Sequence, residues 1–250
     1  MGDQLFNQLE RWHGEEPWGS VLDAGTGEHS LKWLLTLSTS RWAAVTGDVK
    51  RKVSMEASFR QDLRAEDKIV VGNWQDPVFL LGESYDTVIA DYLLGAVDGF
   101  APYFQAQLFG RLRPHVRKRL YVIGLEPFPD RASDEGSALI LEIARLRDAC
   151  ILLAGHRCYR EYPLDWVVRQ LNGAGFLVER TRRLPILYGE RYVKSQLQVC
   201  RRKLKWFGDQ KVAGKMRDHI DSLERRALKY VTKNGRIRAG EDYIVQASPI

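Results

Sequence analysis

The chain contains few cysteines and no long apolar run. Its three cysteines, Cys150, Cys158 and Cys200, are too few and too widely spaced for a disulfide framework or a Cys-rich zinc site. We therefore expect three reduced thiols, no metal and a cytoplasmic location. No apolar stretch reaches the roughly 18 residues that a bilayer span requires, and no signal sequence opens the chain. These absences predict a protein without a membrane partner.

Acidic residues are scarce toward the C-terminus. Residues 181–250 contain 17 Lys and Arg against 7 Asp and Glu, whereas residues 1–180 contain 21 against 25. Such an asymmetry indicates either a surface for an anionic partner or the solvated faces of long helices.

From about residue 20, short apolar runs alternate with helical patterns. This alternation is typical of βαβ units and predicts an α/β fold with a mostly parallel sheet. The predicted strands lie at 20–24, 42–46, 68–71, 85–90, 119–125 and 176 to about 184. Helices are expected between them, including one that begins at Pro102 and one that begins near Pro163.

The C-terminal part carries two helical stripes of apolar residues at steps of three and four. The first stripe runs from Val193 to Phe207 and the second from Val212 to Val231, which predicts two helices joined near Gly208. A last strand is expected at 242–247. The chain then forms a single domain, 1–250, with a helical insert or lid at 191–232 between the last two strands. An alternative places the last strand at 196–200.

Glycines and acids follow the first three predicted strands. Asp23 ends the first strand and precedes the turn Gly25-Thr26-Gly27, which allows a sharp bend and close approach to a ligand. Asp48 ends the second strand, and Gly72-Asn73-Trp74 follows the third. In open α/β sheets, ligands bind beyond the carboxyl ends of the strands, where all these residues are expected.

This ordered set resembles the class I S-adenosylmethionine-dependent methyltransferases over about residues 18–184. The resemblance implies a Rossmann-like, doubly wound sheet of seven strands, the last antiparallel, with helices on both faces. It also implies S-adenosylmethionine as cofactor and S-adenosylhomocysteine as product. The residues that it assigns to the cofactor are Asp23, Gly25, Thr26, Gly27, His29, Asp48, Asn73, Trp74 and Asp91.

Each of these assignments has a chemical reason. Asp23 would position the cationic amino group, and the two carboxylate oxygens of Asp48 suit the ribose hydroxyls. The Asn73 amide oxygen would accept from the adenine amino group, and Trp74 would either stack on adenine or belong to the core. The sequence departs from the family at His29, where a third glycine is usual. The imidazole of His29 points either into the site or away from it.

Asp91, Tyr92 and Glu126 are the candidate catalytic residues. Asp91-Tyr92 follows the fourth strand, where the resemblance places residues that border the transferred methyl group, and Glu126 follows the fifth. A methyl on a sulfonium is already activated, so the protein mainly aligns the acceptor and excludes water. These three side chains are candidate bases or acceptor clamps, or else helix caps and core residues. Six aromatic residues are expected to line an acceptor pocket or lid: Phe100, Tyr103, Tyr159, Tyr162, Tyr188 and Tyr192.

A small-molecule methyltransferase is the favoured function, because the motifs of amino-directed and pyrimidine-directed nucleic-acid methyltransferases are missing. One alternative is an RNA or protein methyltransferase that uses the basic C-terminal region. Another is a non-catalytic binding module, for which His29 is the support. A nicotinamide enzyme fits worse, because Ser30 stands where that fingerprint requires glycine or alanine. The acceptor, the methylated atom and the oligomeric state are left open.

Overall fold

The computed structural model describes residues 4–250 and contains the seven-stranded sheet that the sequence predicts. The strands are β1 (Ser20–Asp23), β2 (Arg41–Thr46), β3 (Lys68–Val71), β4 (Tyr85–Asp91), β5 (Val116–Leu125), β6 (Phe176–Tyr188) and β7 (Ile237–Pro249). Their order in the sheet is β3-β2-β1-β4-β5-β7-β6. β1 to β5 pair in parallel, and the sheet is mixed because β7 runs antiparallel. The predicted Rossmann-like fold class is confirmed.

Helices connect the strands. They are α1 (Gln4–His13), α2 (Glu28–Leu34), α3 (Val49–Ser58), α4 (Leu93–Ala96), α5 (Gln105–Leu112), α6 (Glu135–Leu153), α7 (Leu164–Gly173), α8 (Glu190–Lys203) and α9 (Gln210–Asn234). Short 3₁₀ turns occupy Val97–Gly99, Arg113–His115 and Leu204–Trp206. The carboxyl ends of β1 to β5 all lie on one edge of the sheet, because these strands are parallel.

Three local expectations need correction. The helix expected from Pro102 begins only at Gln105, because Tyr103 adopts a left-handed φ of 67° that a helix does not tolerate. The alternative strand at 196–200 is wrong, since these residues lie within α8, which buries Val193 and Leu197 on one face. β7 begins at Ile237, five residues before the predicted 242.

The chain divides into two compact units. Unit 1 holds the described residues up to Glu126 together with Arg160–Arg183 and Tyr243–Ile250. Unit 2 holds Pro127–Tyr159 and Leu184–Asp242. The segment expected as an insert, 191–232, contains α8 and α9 and belongs to unit 2, which also contains α6.

Each unit has its own apolar core. In unit 1, the strands read as nearly continuous apolar runs because both faces of a parallel sheet are covered, and Leu22, Val88 and Leu120 are fully buried. In unit 2, the stripes of α6, α8 and α9 pack together around fully buried residues such as Ile143 and Ile220. Burying a large aliphatic side chain of this kind contributes about 1.5–3 kcal/mol.

Within residues 4–250, no helix is both long enough and apolar enough to cross a membrane. The same residues contain no group of three or more His, Cys, Asp or Glu side chains arranged to hold a metal ion.

Candidate functional site

A cleft opens at the carboxyl ends of β1, β2 and β3. Its lining comes from the loops after these strands and from the segment after β4: Ala24, Gly25, Thr26, Val45, Thr46, Gly47, Arg51, Gly72, Asn73, Trp74, Leu93, Ala96, Val97 and Phe100. The fold thus brings together the segments after the first three strands that the sequence singles out.

Glycines allow apolar side chains to lie directly on the loops of this cleft. A β-carbon at Gly25 would lie 2.8 Å from Cδ1 of Leu93, and one at Gly47 would lie 2.6 Å from the ring of Phe100. Gly27 differs, because a β-carbon there would meet no atom within 4 Å. Packing therefore requires glycine at positions 25 and 47, because a side chain there would collide with Leu93 or Phe100. At Gly27 no atom of residues 4–250 lies close to the backbone on that side, so a ligand has room there.

Hydrogen bonds fix the turn after β1. The Thr26 backbone N–H donates to the Val45 carbonyl of β2 at 2.7 Å, and the Gly27 N–H donates to Oγ of Ser30 at 3.0 Å. Thr26 and Ser30 are both buried. The turn is consequently held against β2 before any ligand arrives.

Asp23 is a buried carboxylate with one unused oxygen. Only 1% of the residue is exposed, and Oδ1 accepts from the Gly25 N–H at 3.3 Å. Oδ2 is buried and has no hydrogen-bond partner among residues 4–250. Burial raises the pKa of this carboxyl, against the lowering effect of Thr26, Ser30 and the Gly25 N–H. An unsatisfied buried polar atom is costly, so Oδ2 requires a donor that residues 4–250 do not supply.

His29 lies toward α1. Its exposed ring stacks on Phe6, with ring centroids 5.3 Å apart and an interplanar angle of 29°. Trp33 stacks on the same Phe6 ring at 4.2 Å. His29 does not line the cleft, so the structure favours the outward of the two directions that the sequence leaves open.

Asp48 caps α3 at the rim of the cleft. Its Oδ1 accepts from the backbone N–H groups of Lys50 at 2.8 Å and Arg51 at 3.4 Å, while Oδ2 has no hydrogen bond within the described residues. Gly47 and Arg51 line the cleft on either side of it in sequence. Arg51 was not singled out from the sequence, because one arginine in the basic run 50–52 has no distinguishing mark.

Asn73 and Trp74 both make hydrogen bonds inside the protein. The Asn73 amide donates from Nδ2 to the Phe100 carbonyl at 2.8 Å and accepts at Oδ1 from the Gln75 N–H at 2.9 Å. Trp74 is 3% exposed, and its Nε1 donates to the Ala24 carbonyl at 2.7 Å. Trp74 is thus a core residue whose ring also lines the cleft.

Asp91 ends β4, and Tyr92 follows it in a strained backbone conformation. Both residues are half-buried, and Tyr92 has φ 46° and ψ 21°, which is the left-handed region. The Tyr92 N–H donates to the Ile123 carbonyl of β5 at 3.0 Å, so the conformation is fixed by the neighbouring strand. Non-glycine residues in this region cost about 1–3 kcal/mol and cluster at functional sites.

Glu126 holds neighbouring elements in place. Its Oε1 accepts from the Leu164 N–H at the start of α7 at 3.2 Å and from Nε of Arg183 on β6 at 2.9 Å. Capping a helix is one of the structural roles that the sequence left open for this residue. The geometry therefore gives Glu126 a positioning function in unit 1.

Glu161 and Tyr243 lie near the ends of β4 and β5 and were not anticipated from the sequence. A β-carbon at Gly95 of α4 would lie 2.5 Å from Oε1 of Glu161. The Tyr243 hydroxyl lies against Gly124 of β5 and donates to the Tyr162 carbonyl at 3.0 Å. Burial, and then Glu161 and Glu126, raise the pKa of Tyr243. No motif marks Glu161, which belongs to an irregular segment.

The six aromatic residues expected in one lid fall into two groups. In unit 1, Phe100 is 47% exposed and lines the cleft, Tyr103 lies under the Arg160 guanidinium at 5.9 Å, and Tyr162 packs on Trp166 at 4.3 Å. In unit 2, Tyr188 and Tyr192 pack on each other at 4.0 Å, and Tyr159 is exposed. Only Phe100 borders the cleft directly.

Comparison with known proteins supports the fold. No protein-family model and no curated protein sequence matches the chain. Among solved structures, a candidate methyltransferase from Bacillus halodurans C-125 is 14% identical over 100% of both chains, with a TM-score of 0.61. Mycolic acid cyclopropane synthase CmaA1, solved with S-adenosylhomocysteine, is 14% identical over 94% of this chain and 79% of its own, with a TM-score of 0.53. The [4+2]-cyclase SpnF is 10% identical over 92% of this chain and 73% of its own, with a TM-score of 0.51.

These similarities show that the chain has the Rossmann-like fold of the class I S-adenosylmethionine-dependent methyltransferases, as the sequence predicts. One of the three neighbours is named for a cyclisation, so the fold by itself does not fix the reaction.

Proposed function

We propose that this protein is an S-adenosylmethionine-dependent methyltransferase that acts on a small-molecule acceptor. The observation that carries the proposal is the Asp23 carboxylate. It is buried beside a glycine turn at the cleft, and its Oδ2 lacks a partner within residues 4–250. A cationic amino group is the donor that binds a carboxylate oxygen most strongly. The amino-acid part of S-adenosylmethionine carries one.

The remaining cleft residues fit the rest of that cofactor. Oδ2 of Asp48 is available for a ribose hydroxyl, and the open backbone at Gly27 leaves room beside Asp23. Trp74 and Phe100 provide aromatic surface for a purine, and Oδ1 of Asn73 has a second lone pair for its amino group. His29 is left out of this set because its ring stacks on Phe6. The neighbouring cyclopropane synthase was solved with S-adenosylhomocysteine, which agrees with this assignment.

When bound, the cofactor supplies a methyl group on a positively charged sulfur, already activated for direct displacement. The protein then has to exclude water and orient the acceptor. Leu93, Ala96 and Val97 form an apolar wall of the cleft, and Phe100 lies over Gly47. Exclusion of water is the task of these side chains.

Acceptor orientation falls to the end of β4. We assign Asp91 as the clamp or base for the acceptor, and Tyr92 as its neighbour held at a strained backbone position. Glu126 is assigned to positioning, because its Oε1 already holds Leu164 and Arg183. Nucleic-acid and protein acceptors are less favoured, and a cytoplasmic location agrees with the three free thiols.

The test is calorimetric titration of the protein with S-adenosylmethionine and S-adenosylhomocysteine, beside Asp48→Ala. Loss of the Asp48 side chain also removes a helix cap worth about 1 kcal/mol. Asp209→Ala is the matched control, since Oδ1 of Asp209 accepts from Lys211 N at 2.7 Å and Val212 N at 3.3 Å in the same pattern on α9. We expect saturable binding that Asp48→Ala weakens and Asp209→Ala leaves unchanged.

Absence of binding in a folded sample would overturn the cofactor assignment. Binding that both variants leave unchanged would remove Asp48 from the site and retain the cofactor. Tight binding without turnover across a screen of amines, hydroxyl compounds and acids would favour the non-catalytic module over the enzyme.

A further inference from the structure

Three large apolar side chains of unit 2 are exposed, at the end of α6 and in the turn after α8. Leu152 and Leu153 close α6 and are 63% and 49% exposed, and Trp206 in the 3₁₀ turn after α8 is 58% exposed. His156 joins the two segments, because its ring contacts the Trp206 ring edge-on at 5.9 Å. Backbone bonds from Gly155 N to Leu152 O and from His156 N to Ile151 O fold this turn onto the end of α6. We call Leu152, Leu153 and Trp206 the apolar tip.

The core of unit 2 does not need these side chains. Leu204 and Phe207, on either side of Trp206 in sequence, are 4% and 5% exposed and complete the core. Cys150, two residues before Leu152, is fully buried. The chain therefore turns one set of apolar groups inward and leaves another outward. Exposed apolar side chains that lie close together are a candidate surface for a partner.

Two exposed cations, unpaired within residues 4–250, lie close to Trp206 of the apolar tip in the sequence. Arg202 and Lys205 are exposed, and Nζ of Lys205 lies 5.1 Å from the centroid of the Trp206 ring. Arg201 differs, because it is paired with Asp221 at 2.6 Å and Glu224 at 2.5 Å. Unit 2 as a whole contains 19 Lys and Arg against 12 Asp and Glu. The partner surface is therefore anionic as well as apolar.

We propose that the apolar tip docks on the surface of an anionic lipid bilayer. Trp side chains favour the level of the headgroups, leucines enter the adjoining acyl region, and Lys and Arg attract anionic headgroups. The leucines offer nothing to phosphates or base edges, which disfavours RNA. A second copy of the chain is disfavoured as the partner, because a two-fold axis would bring the same cations face to face and they would repel each other. The expectation of no membrane partner rested on the lack of a spanning segment, which has no bearing on peripheral docking.

Co-sedimentation with phosphatidylcholine vesicles, with and without phosphatidylglycerol, tests the proposal. We expect binding to the anionic vesicles alone, weakened by salt. Trp206→Ser should weaken it about tenfold by removing apolar contact. Lys205→Gln should weaken it about fivefold, since each cation near the surface contributes at that level. The replaced side chains are exposed, so thermal unfolding should be unchanged in both variants.

Two controls match these variants. Leu81→Ser removes another exposed apolar side chain, 76% exposed and outside unit 2. Lys229→Gln removes an exposed cation of α9 about 28 Å along the helix from its first residue. Both should bind the vesicles like the original protein.

Three results would overturn the proposal. The first is vesicle binding that is absent, or is equal in the original protein and Trp206→Ser. The second is binding of a single-stranded RNA that Lys205→Gln weakens and Leu153→Ser does not. The third is a dimer in light scattering that Trp206→Ser dissociates, which would assign the apolar tip to a second copy.

Discussion

The two halves of the sheet edge that form the candidate site are built in different ways. After β1, β2 and β3, the oxygens of three polar side chains accept from backbone N–H groups two or three residues along: Asp23 from Gly25, Asp48 from Lys50 and Arg51, and Asn73 from Gln75. After β4 and β5, the contacts join distant parts of the chain. Glu126 bonds to Leu164 and Arg183, and Glu161 packs on Gly95.

The carboxylates Asp23, Asp48 and Glu126 also differ in what they leave unsatisfied. Oδ2 of Asp23 and Oδ2 of Asp48 have no hydrogen bond within the described residues. Glu126, by contrast, is occupied by a helix N–H and a guanidinium. A polar group without a partner lowers the stability of the ligand-free protein, and a ligand that supplies the partner restores it. A polar group that already has a partner helps to maintain the fold. The first half is therefore arranged to bind a ligand, and the second half to hold its own elements in place.

Of the substitutions that test this comparison, Asp23→Asn should have the largest effect. The amide lacks the charge that attracts a cationic amino group, so affinity for S-adenosylhomocysteine should fall about hundredfold. The free energy of unfolding of the ligand-free protein should stay equal or rise, because a buried carboxylate without a partner at Oδ2 is removed. Calorimetric titration and denaturant unfolding measure the two quantities. A loss of stability together with affinity would mean that Asp23 is structural.

The same residue predicts a pH dependence. Burial raises the pKa of Asp23 in the folded state above its ordinary value of 3.8. Its contribution to stability is therefore full below that value and is lost as pH rises through the folded-state pKa. The difference in unfolding free energy between Asp23→Asn and the original protein should grow in favour of the variant from acid to neutral pH. A difference that does not vary with pH would show that the carboxyl titrates alike in both states.

Gly47→Ala tests whether the first half is closely packed. The new β-carbon would lie 2.6 Å from the Phe100 ring, and forcing that ring aside should cost about 1–3 kcal/mol. Gly110→Ala in α5 is the control, since a β-carbon there meets no atom within 4 Å, and it should be neutral or stabilising. Denaturant unfolding compares them. Phe100→Ala in the Gly47→Ala background should recover most of the loss, and equal stability of the two alanine variants would contradict the packing.

Glu126→Gln tests the second half. The amide oxygen still accepts from Leu164 N but loses the charge that pairs with the partly exposed Arg183, so the free energy of unfolding should fall by about 0.5–1 kcal/mol. Arg183→Gln should cost a similar amount, and the double variant less than both costs together. Methyl transfer should persist in all three. A large loss of turnover at unchanged stability would instead place Glu126 in the chemistry.

This division explains what the sequence could predict. Asp23, Gly25 and Asp48 were identifiable because the ordered set of strand ends resembles a known family, and their hydrogen-bond partners lie within three residues in the sequence. The strands were identifiable for the same local reason, since buried parallel strands read as apolar runs. The positions of Glu161 and Arg51 and the outward orientation of the His29 ring depend on tertiary contacts. No local sequence pattern predicts them. Likewise, no sequence pattern predicts the left-handed φ of Tyr103 that precedes α5.

Asn73→Asp should have the smallest effect of these substitutions. It tests a hydrogen bond that links the two halves. The Asn73 amide is a link between the loop after β3 and the segment after β4, because Nδ2 donates to the Phe100 carbonyl at 2.8 Å. A carboxylate cannot donate this bond and places two acceptors face to face, yet it retains the bond from Gln75 N. At this half-buried position we expect a loss of about 0.5–1 kcal/mol in unfolding free energy.

The expected change is local and measurable by amide exchange. Exchange should accelerate at Phe100 and Ala101, whose N–H groups both donate to the Val97 carbonyl, while the amides of β1 and β2 stay unchanged. Gln75→Ala is the control, because it keeps the Asn73 link intact. If S-adenosylhomocysteine slows exchange at Phe100 in the original protein and in the variant alike, the ligand itself holds this segment closed. If exchange at Phe100 is unaffected by Asn73→Asp, the two halves are fixed independently and the Asn73 bond is dispensable.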